Sequence, residues 1–289
     1  MKALPATRSL LALALAAVVA GCASAPVARD RASDSPAAAA QVAGDSAKAE
    51  RLRGLYDQYW EEVLQLNPIQ ATFQGDARYN DQLPNFYSAE YRDKSREFTR
   101  RWLETVESVG SDGLTGQDLL SYQIFVRDAK QSLESEKFPG WMMPVNQMGS
   151  LPTLAVQFGS GTGPQPFKTV QDYDNWLARA GRMPALFDTA IANMREGMKA
   201  GVVQPRALMV KVVPQLDALI KARPEDTMFW GPIQNMPKDF SAADRTRLTA
   251  AYRDLIAKQL MPSYRKLRTF INDEYLPATR ETYGLDKLP

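Results

Sequence analysis

From Leu52 to Leu64 the apolar side chains Leu52, Leu55, Tyr56, Tyr59, Trp60, Val63 and Leu64 recur at i, i+3, i+4, i+7, i+8, i+11 and i+12. That spacing lays them on one face of an α-helix and is incompatible with the two-residue alternation of a strand. The helix is expected to begin near Ala47 and to stop before Asn67-Pro68, since the residue ahead of a proline is pushed out of helical geometry.

The same period returns along the chain. Ser88 to about Val109 carries Tyr91, Phe98, Trp102 and Val106, with Gly110 as its stop. Thr115 and Asp118 stand at the spacing of a capping box ahead of Leu119, Tyr122, Val126 and Leu133. Thr169-x-x-Asp172 repeats that signal before Tyr173, Trp176, Leu177 and Ala180. Pro184 opens a helix with Phe187, Ala190, Ile191, Met194 and Met198, which Gly201 ends. Pro205 opens another, from Leu208 through Leu216 to Leu219, with a kink expected at Pro214. Ser241-x-x-Asp244 caps a last long segment from Leu248 to Ile271, bent at Pro262.

The fold class is therefore mostly α: a multi-helix domain of at least six amphipathic helices over residues 47–289. About 240 residues suit one large domain better than two. Residues 138–168 hold five prolines and five glycines, so a regular helix is not expected to run through them. Their apolar content, from Phe138 and Trp141 to Phe158, predicts a packed irregular loop with a short hairpin near Leu154 to Phe158.

The start of the chain carries an address. Lys2 and Arg8 precede the apolar run Leu10 to Ala20, which is too short to cross a bilayer but fits the core of an export signal. Val19-Ala20-Gly21-Cys22 resembles the lipobox of bacterial lipoproteins. The resemblance implies a signal peptide over residues 1–21 and lipidation of Cys22 with diacylglycerol and a further acyl chain, enough for durable membrane attachment. Ala23, in place of Asp, implies sorting to the outer membrane, facing the periplasm. An ordinary signal followed by a chance cysteine is the alternative, and it predicts that Cys22→Ser leaves a normally processed soluble protein. Residues 22–46, rich in Ala, Ser, Pro and Asp and free of aromatics, are expected to be a flexible tether.

Cys22 is the single cysteine, so no internal disulfide is available. The chain contains no histidine, which removes the usual general base and the commonest metal ligand. Its 35 basic residues against 33 acidic ones leave no excess cationic surface for nucleic acid.

Four constellations invite chemistry, and each has an ordinary reading. Gly159-Ser-Gly161-Thr-Gly163 looks like a phosphate loop, but no Lys-Ser/Thr pair follows and Pro164-Gln165-Pro166 blocks an immediate helix, so a flexible turn is expected. Ser263-Tyr-Arg-Lys266 matches S-x-x-K without the other elements of a penicillin-recognising enzyme, and a solvated helix face is expected instead. Glu61-Glu62, Asp226 and Asp273-Glu274 are the conspicuous carboxylates; a glycosidase would need two of them about 5–9.5 Å apart, and exposed helix faces are expected instead. The stripes Tyr56, Tyr59, Trp60 and Met194, Met198 are expected to be core, with a minority lining a channel for an apolar ligand.

Three stretches carry a family resemblance: Tyr59-Trp60 to Asn67-Pro68 with Ala71-Thr72 and Gly75; Ile191 to Gly197 through Gly201 to Pro205-Arg206; and Tyr264 to Tyr283-Gly284-Leu285. From about Arg51 to Pro289 the chain resembles the N-terminal half of proteins grouped as domain of unknown function 885, many of them lipoproteins. The family is similar to helical zinc metallopeptidases about twice this length, with an H-E-x-x-H-like motif in the second half. This sequence ends at Leu288-Pro289, ahead of that motif, so no catalytic, metal or cofactor residue carries over, and a fragment or an early-ended gene is expected.

The expected function is thus that of a lipid-anchored envelope protein resembling the non-catalytic half of a metallopeptidase, held to the membrane through Cys22 and partnered by a peptide or by a missing C-terminal half. The alternative is an autonomous envelope binding or scaffold lipoprotein with a peptide-binding groove. A carboxylate glycosidase stands third.

Overall fold

The computed structural model describes the backbone of residues 36–289 and the side chains from residue 45 onward. The expected signal peptide 1–21, Cys22 and the tether up to residue 35 lie outside the described residues. Helix α1 runs Pro36–Leu66, beginning ahead of the start near Ala47 that the apolar period predicts. Pro36 opens a helix at no hydrogen-bonding cost, and the alanines at 37–40 are the strongest helix formers, so composition that reads as unpacked still favours helix locally.

Residues 44–289 form one compact unit. After α1 come α2 (Pro68–Phe73), α3 (Ala89–Glu107), α4 (Gly116–Ser135), α5 (Leu151–Gly159), α6 (Val170–Ala180), α7 (Met183–Ala200), α8 (Arg206–Met209), α9 (Val212–Leu219) and α10 (Gly231–Gln234). The chain closes with α11 (Ala242–Leu255), α12 (Met261–Phe270) and α13 (Leu276–Ala278). Among the described residues there is no strand, only an isolated parallel bridge between Pro205 and Arg280. The architecture is all-helical, as the periodicity predicts.

Most caps follow the sequence. Ser88 accepts from the Tyr91 amide, Ser241 accepts from the Asp244 amide, and Thr169 and Asp172 close a full capping box. Gly201 ends α7 in the left-handed conformation at φ 73°, where a side chain would be strained. Thr115 departs from expectation: it sits at the start of α4 without a side-chain cap bond, and Asp118 instead faces Arg53 of α1 at 3.4 Å. Asp118 still lies in the first turn of α4, where its charge faces the positive end of the helix.

Two prolines sit at positions that the helices accommodate. Pro214 lies in the first turn of α9, where its missing amide is free, and the chain breaks earlier, between α8 and α9. At Pro262 the helix continues through a π-turn, Ile256–Leu260, in which the Met261 amide reaches back to the Ile256 carbonyl. A second π-turn, Ile271–Tyr275, precedes Pro277 in the same way. Widening the turn by one residue ahead of each proline makes room for the ring without ending the helix.

Residues 138–168 contain no hairpin. Leu151–Gly159 forms α5, with Pro152 in its first turn and a Ser150/Thr153 capping box. The expected packing is present: Val145, Leu151, Ala155 and Phe158 are buried.

The main core joins α5, α6, α7, α9, α11 and α12 around Tyr173, Trp176, Phe187, Tyr252 and Tyr264. Buried tyrosine hydroxyls find partners: Tyr173 donates to the Pro232 carbonyl at 2.7 Å and Tyr264 to the Pro152 carbonyl at 2.6 Å. A smaller core, Ala49, Leu52, Val106 and Leu114, joins α1 to α3 and α4. No helix among the described residues is long and apolar enough to cross a membrane.

Candidate functional site

The groove between α1, α3 and α4 is the concave feature with the most aromatic lining. It encloses about 510 Å³ and is walled by Tyr56, Tyr59, Trp60, Trp102 and Phe125, with Asp128 at its side. Hydroxyls of Thr99, Ser121 and Ser132 add polar points. Such a volume and such a lining fall within the range of small-ligand sites.

Helical register explains the lining. Tyr56, Tyr59 and Trp60 share one face of α1, and on α4 Ser121, Ile124, Phe125, Asp128 and Ser132 follow the i, i+3, i+4, i+7, i+11 pattern. Tyr59 stands perpendicular to two rings, Trp102 at 5.6 Å and 80° and Phe125 at 4.9 Å and 78°. These edge-to-face contacts fix the walls without filling the space between them. Trp60 is 41% exposed and Ile124 44%. The α1 stripe is therefore partly core and partly wall, whereas Met194 is buried core. Ile124 and Asp128 were not legible as site residues, because the apolar stripe of α4 runs through Leu119, Tyr122 and Val126 toward the small core, while Phe125 both packs against that core and borders the groove.

The conspicuous carboxylates do not pair with one another. Glu61 accepts from Arg78 at 2.7 Å. Glu62 accepts from Arg101 and, at 3.1 Å, from the Trp102 indole. Asp226 is gripped by Arg223 at 2.7 and 3.0 Å, and Glu274 by Arg195 at 2.7 and 2.9 Å. Asp273 accepts from the Asn272 amide at 2.6 Å. The arginine hydrogen bonds hold Glu62, Asp226 and Glu274 below their ordinary carboxyl pKa. A glycosidase acid requires a raised pKa, so these groups are set in the wrong direction for that chemistry. Among the described residues, no three His, Cys, Asp or Glu side chains gather where they could hold a metal ion.

Ser263 is not on a solvated face: it is buried, and its hydroxyl donates to the Gln259 carbonyl one turn back at 2.8 Å. Lys266 faces solvent and pairs with Asp188 at 2.7 Å, so it does not activate Ser263. The glycine run begins where α5 ends, at the negative end of a helix dipole and not at the positive end that holds phosphate. Gly159 is there for packing: a Cβ would stand 2.3 Å from Trp176 Cζ2 and 2.7 Å from Phe229.

The stretches that carried the family resemblance are structural joints. Arg179 of α6 is fully buried without a carboxylate partner. Its guanidinium donates to the Tyr79 carbonyl at 2.6 Å, Gln165 Oε1 at 2.7 Å, Thr72 Oγ1 at 2.9 Å and the Gln82 carbonyl at 3.0 Å. Burial pulls its pKa down to about 10, so it remains a cation at neutral pH. Asn67 caps α2, and the Thr72 hydroxyl lies 2.7 Å from Asn80 Oδ1. Gly197 leaves room for the Val202 carbonyl, 2.5 Å from where its Cβ would be, and the Gln204 amide donates to the Tyr275 hydroxyl at 2.9 Å.

A family model described as bacterial protein of unknown function, DUF885, matches residues 68–287. The Tyr59-Trp60 stretch lies ahead of that span. The crystal structure of a protein from Colwellia psychrerythraea, described as a lipoprotein, shares the fold with a TM-score of 0.70 at 16% sequence identity. The similarity covers 84% of this chain and 44% of that one, so this chain spans less than half of the length of the protein it matches. No curated protein is significantly similar in sequence.

Proposed function

We propose that this chain, which belongs to the bacterial protein family DUF885, is a lipid-anchored envelope protein whose folded body binds a ligand without hydrolysing it. The observation that carries this reading is the pairing of the carboxylates. Glu61, Glu62, Asp226 and Glu274, the acidic groups best placed by sequence for catalysis, are each engaged by an arginine.

Zinc is the cofactor that the family resemblance implies, and the donor set does not fit it. A catalytic zinc takes three protein ligands drawn from imidazole, thiolate and carboxylate. The sequence has no imidazole and one thiol, Cys22, which belongs to the lipobox-like start. What remains suited to binding is the aromatic groove between α1, α3 and α4.

Within the family, the body corresponds to the scaffold half of a metallopeptidase-like fold. The 44% share of the Colwellia protein that it matches supports that correspondence. The envelope location rests on Val19-Ala20-Gly21-Cys22 and on the description of that relative. Attachment runs through the acyl chains on Cys22, with the outer membrane as the site favoured by Ala23.

The test is expression of the full chain in a Gram-negative host, followed by membrane fractionation, zinc analysis and peptide hydrolysis assays. The wild type is expected in the outer-membrane fraction, labelled by a fatty acid, without stoichiometric zinc or peptidase activity, and Cys22→Ser is expected to be unlabelled and to keep its uncleaved signal. Tightly held zinc together with hydrolysis would overturn the binding reading, and normal processing of Cys22→Ser to a soluble protein, with no fatty-acid label on the wild type, would overturn the anchor.

A further inference from the structure

Charge distinguishes the aromatic groove from an ordinary apolar cleft. Five aromatic rings line it together with one carboxylate, Asp128, and no lysine or arginine is among the lining residues. Ring faces carry partial negative charge, so a cleft of this composition attracts a cation and repels an anion. The perpendicular planes of Tyr59 and Trp102, and of Tyr59 and Phe125, orient rings on more than one side of the space.

Cations near the groove are already neutralised. Arg101 stacks on Trp102 at 5.2 Å from outside the lining, and its charge is held by Glu62. Arg127 pairs with Asp128 at 3.2 Å at an exposed position, where water weakens the pair as it weakens those of Glu61 and Glu274, so a ligand cation competes with Arg127 for the carboxylate. The field of Asp128 reaches inward, since it is one of the causes that raise the Tyr59 pKa, after burial.

We propose that this groove is a site for an alkylammonium, a small molecule with a positive nitrogen on an aliphatic stem. Asp128 and the ring faces take the nitrogen. Ile124, Phe125 and Trp60 cover the stem, whose length is set by a cavity of about 510 Å³. The assignment rests on the reading of the body as a ligand-binding one and adds the charge and class of the ligand.

The experiment is calorimetric titration of the full chain in detergent micelles, blanked against empty micelles, with hexylammonium and with hexanol as the neutral counterpart. Hexylammonium is expected to bind about tenfold more tightly. Asp128→Asn, at an exposed position that leaves the thermal midpoint unchanged, is expected to bring the two ligands to parity, and Trp60→Ala to weaken both. Equal binding of the two ligands to the unaltered groove would overturn the cation assignment while leaving a binding groove. Absence of binding by either would overturn the groove as a site altogether.

Discussion

The guanidinium of Arg179 donates from Nη1 to the Thr72 hydroxyl at 2.9 Å, joining α6 to α2 across a sequence separation of 107 residues. No carboxylate is needed, because neutral acceptors from Tyr79, Gln82 and Gln165 take the remaining donors. A buried charge solvated entirely by fixed dipoles holds the 68–82 segment to the core, and its removal strands every one of those acceptors at once.

Arg179→Met is therefore expected to lower unfolding stability by more than ~3 kcal/mol, since buried acceptors left without donors keep their full desolvation penalty. Thr72→Val should cost about 1–3 kcal/mol. In a double-mutant cycle by urea denaturation, the two losses should be less than additive, because each removes part of the same network. Strict additivity would show that the contact does not couple α2 to α6.

Gly159→Ala is expected to destabilise by about 1–3 kcal/mol through overpacking against Trp176 and Phe229. Gly149→Ala, where nothing lies within 4 Å of the added carbon, should change the midpoint little. Thermal melts of the two variants measure the contrast, and equal effects would remove the packing explanation for the glycine run.

The pH profile should be flat from about 5 to 8, because no histidine is present to titrate there. Hydrogen bonds from arginines hold Glu62, Glu225, Asp226 and Glu274 below the ordinary carboxyl values of 4.5 or 3.8. Their contribution is present above those values and is lost as pH falls through the depressed folded ones. At the alkaline end, burial pushes Tyr87 and Tyr173 up from 10.0 to about 12. Stability is then complete below pH 10 and falls as pH rises toward 12. Melting temperatures across pH 2–12 test both limbs, and a transition between pH 5 and 8 would contradict the assignment.

Ser263→Ala removes one bond to the chain's own helix and should cost less than ~1.5 kcal/mol. Neither the wild type nor the variant is expected to be labelled by a β-lactam probe. Labelling of the wild type alone would restore Ser263 as a nucleophile.

Much of the fold was legible because helix propensity, capping and apolar period are local. Ser88, Thr169, Gly201 and Ser241 mark boundaries that the folded chain keeps. Where expectation failed, a local signal was weak or masked. Thr115 starts α4 without its side-chain bond, and the helix meets Pro262 through a π-turn that the apolar period does not announce. Proline and glycine density hid α5, although Pro152 sits where a proline costs a helix nothing.

The sequence alone determined the helical class, the absence of imidazole and the lack of an internal disulfide, since these follow from period and composition without knowledge of neighbours. Tertiary structure decided the charge state of each carboxylate neighbourhood, the burial of Arg179 and the making of the groove. Those properties belong to pairs of residues brought together from different helices: Tyr59 with Trp102, Glu62 with Arg101, Arg179 with Thr72. A period names the face on which a side chain sits, but only packing determines what that face meets.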